Sequence, residues 1–159
     1  MFQILIPLAN ASEEMEAITI IDALRRANAD VVVASPEDGV EIVARHNTRI
    51  VTDVLLDAAA DQQFDLIIVP ASRKLLLLLD VHTCILPSLM KTSSRYSLDQ
   101  GGMPGAKTLA GKEKLVALLK KQAEANRPYA SIGAATAQVL EPHGLLKVHL
   151  SARRTKIYQ

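Results

Sequence analysis

The chain has 159 residues and weighs 17.2 kDa, the size of one domain. Hydrophobic residues make up 49% and charged residues 22%, the proportions of a globular protein rather than a disordered tail. Lys and Arg number 18 against 17 Asp and Glu, so no excess of positive charge points to nucleic acid or an anionic membrane.

Residues 2–8 form a short apolar run rich in Ile and Leu, which predicts a buried strand. Asn10, Ser12, Glu13 and Glu14 then supply the capping oxygens and first-turn acids of a helix. Behind them Met15, Ile18, Ile21 and Leu24 recur every three residues, with Ala17 and Ala27 on the same face and Arg25 and Arg26 in the last turn. Residues 31–34 are apolar and β-branched for the most part, and Pro36-Glu37-Asp38-Gly39 makes a turn. Residues 40–44 and 50–54 predict two more strands, 55–60 a brief helix, and 64–70 another buried strand. This alternation of strand and helix predicts a parallel, doubly wound sheet.

The rhythm breaks over residues 71–100. Five consecutive leucines, Cys84 and the polar tract Lys91-Thr92-Ser93-Ser94-Arg95 follow one another with no period, as an insertion would. Beyond it, residues 112–125 form an amphipathic helix with Leu115, Leu118, Leu119 and Gln122 on one side and lysines opposite. Residues 129–133 predict the next strand, and 134–140 a helix after a tight turn, stopped by Pro142 and Gly144. Residues 148–159, with Arg153, Arg154 and Lys156, are expected to be a solvated tail.

A lone cysteine, Cys84, makes no internal disulfide, which fits a reducing compartment. Met1 is followed at once by the first strand, with no basic flank or cleavage site. The most apolar stretch, 75–89, is interrupted by Asp80 and His82 and is too short to span about 30 Å of hydrocarbon. A soluble cytoplasmic protein is the expectation, with chloroplast or nucleus as the alternative if the natural protein is longer.

In an open parallel sheet, ligands bind outside the carboxyl ends of the strands. Residues 9–16, Pro70 with the distant Gly101 and Gly102, and residues 131–136 qualify. The stretch Gly101-Gly102-Met103-Pro104-Gly105-Ala106-Lys107-Thr108 nearly spells a phosphate-binding loop, but Ala106 stands where that motif needs glycine. Its glycines are expected to form a tight turn into the following helix, whose N–H groups face a ligand. Glu13 and Glu14 suit the helix dipole, whereas Glu16 sits between Met15 and Ala17 near the apolar face. There it is expected to point into a crevice, where burial would raise its pKa and make it a general acid or base. His46, His82, His143 and His149 show no metal-ligand spacing, so no metal is expected. His143 suits a helix C-terminus, and Cys84 lies away from any strand-to-helix turn.

Several segments together resemble the ThiJ/PfpI superfamily, in its small DJ-one-like glyoxalase/deglycase branch of plant type. They are Ile4-Leu5-Ile6-Pro7, Ser12-Glu13-Glu14-Met15-Glu16-Ala17, Ile20-Ile21-Asp22-Ala23-Leu24-Arg25-Arg26-Ala27, residues 51–57 and 64–70, Gly101 to Ala106, and residues 128–146. They fall within 2–70 and 101–147, about three quarters of the chain. The resemblance implies a flavodoxin-like parallel sheet flanked by helices, a homodimer, no cofactor, and small carbonyl compounds, glyoxal or methylglyoxal, as substrates. It also implies a cysteine nucleophile at a strand-to-helix elbow, a glutamate hydrogen-bonded to it, and glycine N–H groups that hold the oxyanion. Glu16 falls on that glutamate, Gly101 and Gly102 on the oxyanion glycines, and Ala134 follows the elbow. The chemistry is coherent, because a thiolate needs a positive helix end and a proton partner to be both ionised and reactive.

Three departures decide what the resemblance can carry. The nucleophile position is Gly133, in Ile132-Gly133-Ala134, and neither Ser131 nor Thr136 stands at the elbow in its place. Residues 71–100 split Pro70 from Gly101, and the family pattern stops after Lys147, leaving the fold incomplete at its C-terminus. The expected organisation is a partial domain over 1–147, interrupted by an insertion over 71–100, with an unrelated tail over 148–159. A retained intron and a shifted frame would leave this pattern, and an exon map that places the junctions elsewhere would exclude it. Such a product should be marginally stable, because missing edge elements expose apolar sheet surface. Three functions are compatible: a non-catalytic relative without the nucleophilic cysteine, a glyoxalase/deglycase with residual activity, or an inactive truncated product.

Overall fold

The computed structural model describes residues 2–70 and 103–146. The predicted insertion over 71–100, with Cys84 and His82, the pair Gly101 and Gly102, and the tail with His149 lie outside the described residues.

Strand β1 (Gln3–Pro7) is buried on both faces. Alternation along it sends Ile4 and Ile6 to one core cluster and Leu5 to the other. Strand β2 (Asp30–Ser35) pairs with it in parallel, from Gln3 opposite Asp30 to Pro7 opposite Ala34. On the other side β6 (Leu66–Val69) pairs through Ile4 and Leu66. With strands β5 (Val54–Leu55) and β7 (Tyr129–Ser131), the described residues form a five-stranded sheet in the order β5-β2-β1-β6-β7. Every pair in it is parallel, as the strand-helix alternation predicts. The order reverses between β1 and β6, which makes their carboxyl ends the topological switch point where ligands bind in such sheets.

Parallel neighbours require crossovers, and helices supply them on both faces. Helix α1 (Glu14–Arg26) buries Ala17 and Ile21 against Ile4, Ile6, Val31 and Val33. Helix α2 (Leu56–Ala59), α3 (Met103–Ala110) and α4 (Glu113–Glu124) cover the other face, where Leu115, Leu118 and Leu119 of α4 join Leu5, Ile67 and Val69. Among the described residues no helix is long and apolar enough to cross a membrane.

The structure departs from the sequence reading in three places. Residues 50–54 do not form one strand. They divide into β4 (Arg49–Val51), which pairs antiparallel with β3 (Glu41–Val43), and β5 in the main sheet. Asp53 causes the break: its Oδ2 accepts the Val33 N–H at 2.8 Å and the Arg25 guanidinium at 2.9 Å, so a side chain takes the place of a ladder bond. The glycine-rich stretch from Met103 is helix α3 itself, because proline is tolerated in a first helical turn. After β7 the chain winds as a π-helical segment, Thr136–Leu140, and a 3-10 turn, Glu141–His143. Pro142 therefore lies inside the turn, and Gly144, at φ +69°, ends it.

Candidate functional site

The residues expected to carry chemistry gather at the carboxyl edge of the sheet. Glu16 sits in the first turn of α1, which follows β1, and Gly133 follows β7; both strands pair with β6. Glu16 is 2% exposed, as its place beside the apolar face of α1 predicts. Gly133 is exposed and turns the chain from strand to helix with φ +60°, a left-handed conformation that side chains disfavour. Ala134, half-buried, opens the helical turn behind it. The expected oxyanion residues Gly101 and Gly102 are outside the described residues.

Ser131 and Thr136 bracket the elbow. Their hydroxyls lie 2.7 Å apart and half-buried, a hydrogen bond that joins the end of β7 to the start of the π-helical segment. With the Ile132 N–H on the Val69 carbonyl at 3.1 Å, it pins the turn from both sides. From sequence alone these hydroxyls offer themselves only as substitute nucleophiles. A pair five residues apart across a strand-to-helix junction is the signal that points to a staple instead.

The β1–α1 turn that carries Glu16 is unusually constrained. Ala11 has φ +58°, which costs a non-glycine residue about 1 kcal/mol or more. Its N–H bonds to the Val43 carbonyl at 2.9 Å, and the buried Ser12 accepts the Ala9 N–H on its Oγ at 3.2 Å. The helix cap is Glu13, whose Oε2 accepts the N–H groups of Met15 at 2.9 Å and Glu16 at 3.4 Å. Asn10, expected to contribute to the cap, instead receives the Val43 N–H at 2.8 Å.

Glu14 fastens the β3–β4 hairpin to this turn. Its Oε1 accepts the His46 N–H at 3.1 Å and the Thr48 hydroxyl at 3.1 Å, with His46 Nδ1 at 3.2 Å. Burial pushes the Glu14 carboxyl up. Bonds from its own N–H, from His46 and from Thr48, with the His46 charge, outweigh burial and hold it below 4.5. A carboxyl with a lowered folded pKa stabilises the fold above its unfolded pKa, and that contribution disappears as pH falls through the folded value. Replacing Glu14 with glutamine should therefore cost about 0.5–1.5 kcal/mol at neutral pH, the worth of one or two hydrogen bonds, and progressively less below pH 4.5. Urea midpoints at about pH 7 and about pH 3 check this; an equal deficit at both would contradict it.

Glu13, Glu14 and His46 bring candidate ligand atoms within 4.8 Å of one another, a proximity that no sequence spacing announces. The cap and the hairpin tether already account for it. A cavity of about 520 Å³ lies at the carboxyl ends of β2 and β5, between Ser35, Leu56 and Lys112. Two strands, β1 and β6, separate β2 from β7 and the elbow.

The family model described as DJ-1/PfpI family matches residues 2–75 and 100–154. Protein DJ-1 homolog B of Arabidopsis thaliana is 45% identical over 145 residues, covering 91% of this chain and 26% of that protein. Protein DJ-1 homolog A of the same plant is 41% identical, covering 91% and 29%. The chain thus spans less than a third of the length of these curated relatives. Among solved structures, oxidized DJ-1 of Toxoplasma gondii superposes with a TM-score of 0.73 at 31% identity, covering 95% of this chain and 67% of that one. DJ-1beta of Drosophila melanogaster does so with a TM-score of 0.68 at 26% identity, covering 91% and 61%.

Proposed function

The chain belongs to the DJ-1/PfpI family, and on that premise we propose that it is a relative with a retained pocket but no covalent nucleophile of its own. One observation carries the reading: a glycine at φ +60° occupies the strand-to-helix elbow at Gly133, which the resemblance aligns with the family's cysteine position. Covalent attack on an aldehyde needs a thiolate or an activated hydroxyl there. The neighbouring hydroxyls of Ser131 and Thr136 are half-buried and bonded to each other. Glu16 keeps its buried place as the acid–base partner, but such partners act together with the nucleophile and accomplish little without it. Glyoxalase or deglycase turnover by the unaided chain is therefore not part of the reading.

The reading extends to a homodimer. Met15 and Ile18 on α1 are 43% and 48% exposed, and Val51 on β4 is 69% exposed, so a second copy would remove apolar surface from water. The test is the purified chain with methylglyoxal in thiol-free buffer. Aldehyde loss no faster than in protein-free buffer, and a dimer mass by sedimentation, are the expected results. Turnover would refute the first part and a monomer mass the second.

A further inference from the structure

We propose that the cavity at the carboxyl ends of β2 and β5 binds a small apolar zwitterion, a dipeptide or amino acid with its ammonium and its carboxylate both free. At about 520 Å³ the cavity falls within the range of about 300–1,000 Å³ usual for small-molecule sites. It also lies on the side of the sheet where open parallel sheets take their ligands. Two strands separate β2 from β7, so the inference is independent of the reading given for Gly133.

The lining carries both signs of charge on different elements. The turn after β2 contributes Glu37 and Asp38, and the start of α4 contributes Lys112 and Lys114. Lys114 already has its counter-ion, because its Nζ lies 2.7 Å from Asp57 Oδ2. Lys112 has none: it is half-buried, and among the described residues its ammonium makes no ion pair or hydrogen bond. It is also the N-cap of α4, a helix that no side chain caps, so the first-turn N–H groups add their positive end beside it. On the acidic side Asp38 is exposed with no partner among the described residues, and Glu37 Oε1 accepts the Asn10 N–H at 2.9 Å. Pro36 and Leu56, both buried, and the half-buried Leu55 supply apolar lining.

Charge decides the class of ligand. With Lys114 paired, one free cation, Lys112, faces three carboxylates, those of Glu37, Asp38 and the exposed Glu113. A purely anionic ligand is repelled by the acids, and a purely cationic one leaves Lys112 half-buried without a counter-ion. A zwitterion answers both: its carboxylate meets Lys112 and the uncapped end of α4, and its ammonium meets Asp38 and Glu37.

Leucyl-leucine titrated into the full chain by calorimetry is the test. Leucine and two blocked forms, N-acetyl-leucyl-leucine and leucyl-leucine amide, are titrated beside it. Leucyl-leucine is expected to give saturable heat with a Kd of about 1 mM or tighter, the range open to a ligand of this size. Either blocked form should bind about tenfold more weakly or worse, having lost a hydrogen bond between charged groups. Lys112→Gln should weaken leucyl-leucine about tenfold and leave the amide unchanged, whereas Asp38→Ala should weaken it equally and leave the N-acetyl form unchanged. A merely structural effect would not confine each loss to one end of the ligand. Leucine binding as tightly as the dipeptide makes the amino acid the ligand, and weaker leucine binding makes it the peptide. No saturable heat from either, or blocked forms that bind as tightly as leucyl-leucine, overturns the proposal. Should Asp38→Ala fail to fold, the N-acetyl form reads the same contact on the unaltered chain. Methylglyoxal consumption by Gly133→Cys tests the other reading separately, so each can fail alone.

Discussion

Gly105→Ala is expected to destabilise the chain by about 1–3 kcal/mol, the usual cost of forcing extra atoms into a packed contact. Within a helix such as α3 this substitution ordinarily gains about 1 kcal/mol. Here the sign reverses, because an added Cβ would lie 2.9 Å from both the N and the Oγ of Ser12 and 3.0 Å from its Cα. Ser12 cannot yield. Its Oγ and N–H are bonded to Ala9, and its carbonyl accepts the Arg45 N–H at 3.0 Å. The contact seats the start of α3 against the turn that presents Glu16, so relieving the clash would disturb the site as well as the fold. Gly111 is the control: an added Cβ there meets nothing nearer than 3.6 Å, and Gly111→Ala should be close to neutral. Urea unfolding decides it, and a Gly105→Ala chain as stable as its parent would refute the close approach.

Gln122→Leu is expected to cost about 1–3 kcal/mol despite nearly conserving volume, since it strips a buried carbonyl of its donor. Gln122 is 2% exposed on α4. Its Nε2 donates to the Phe64 carbonyl at 2.9 Å and to the Pro128 carbonyl at 3.2 Å, and its Oε1 accepts the Arg127 Nε at 3.2 Å. One side chain therefore satisfies the two loops that lead into β6 and β7. An apolar replacement fills the space but leaves the Phe64 carbonyl dry. Gln122→Ala should lose more, because a cavity is added. A Gln122→Leu chain that melts at the parent temperature would show that these bonds contribute nothing.

The periodicity of Gln122 with Leu115, Leu118 and Leu119 places it on the buried side of its helix, but the carbonyls it serves come from remote segments that no helical pattern announces. The same division runs through the molecule. Apolar runs identify β1, β2 and β6 because a parallel strand is buried on both faces and reads as continuous hydrophobicity. The split of residues 50–54 was illegible, since it depends on Asp53 reaching across to Val33. Helix α3 was hidden by glycine and proline, which signal a turn locally and are overridden by burial of Gly105, Ala106 and Leu109. The burial of Glu16 follows from its position beside the apolar face, and the tight turn at Gly133 from the glycine between strand and helix. The Ser131–Thr136 staple and the Glu14–His46 tether arise only when the chain folds, the first across a turn and the second across 32 residues.

The proposal that the pocket persists without its nucleophile is tested most directly by methylglyoxal consumption in thiol-free buffer, by the parent chain and Gly133→Cys at equal concentration. A cysteine at φ +60° should cost about 1–2 kcal/mol of stability, which the Ser131–Thr136 staple helps the elbow bear. The expected result is turnover by the cysteine variant alone, lost again on adding Glu16→Gln. Turnover by the parent would contradict the account, because a nucleophile would have to lie elsewhere. Silence from a variant that melts cooperatively would contradict it equally, because the elbow and Glu16 would then not form a working pocket.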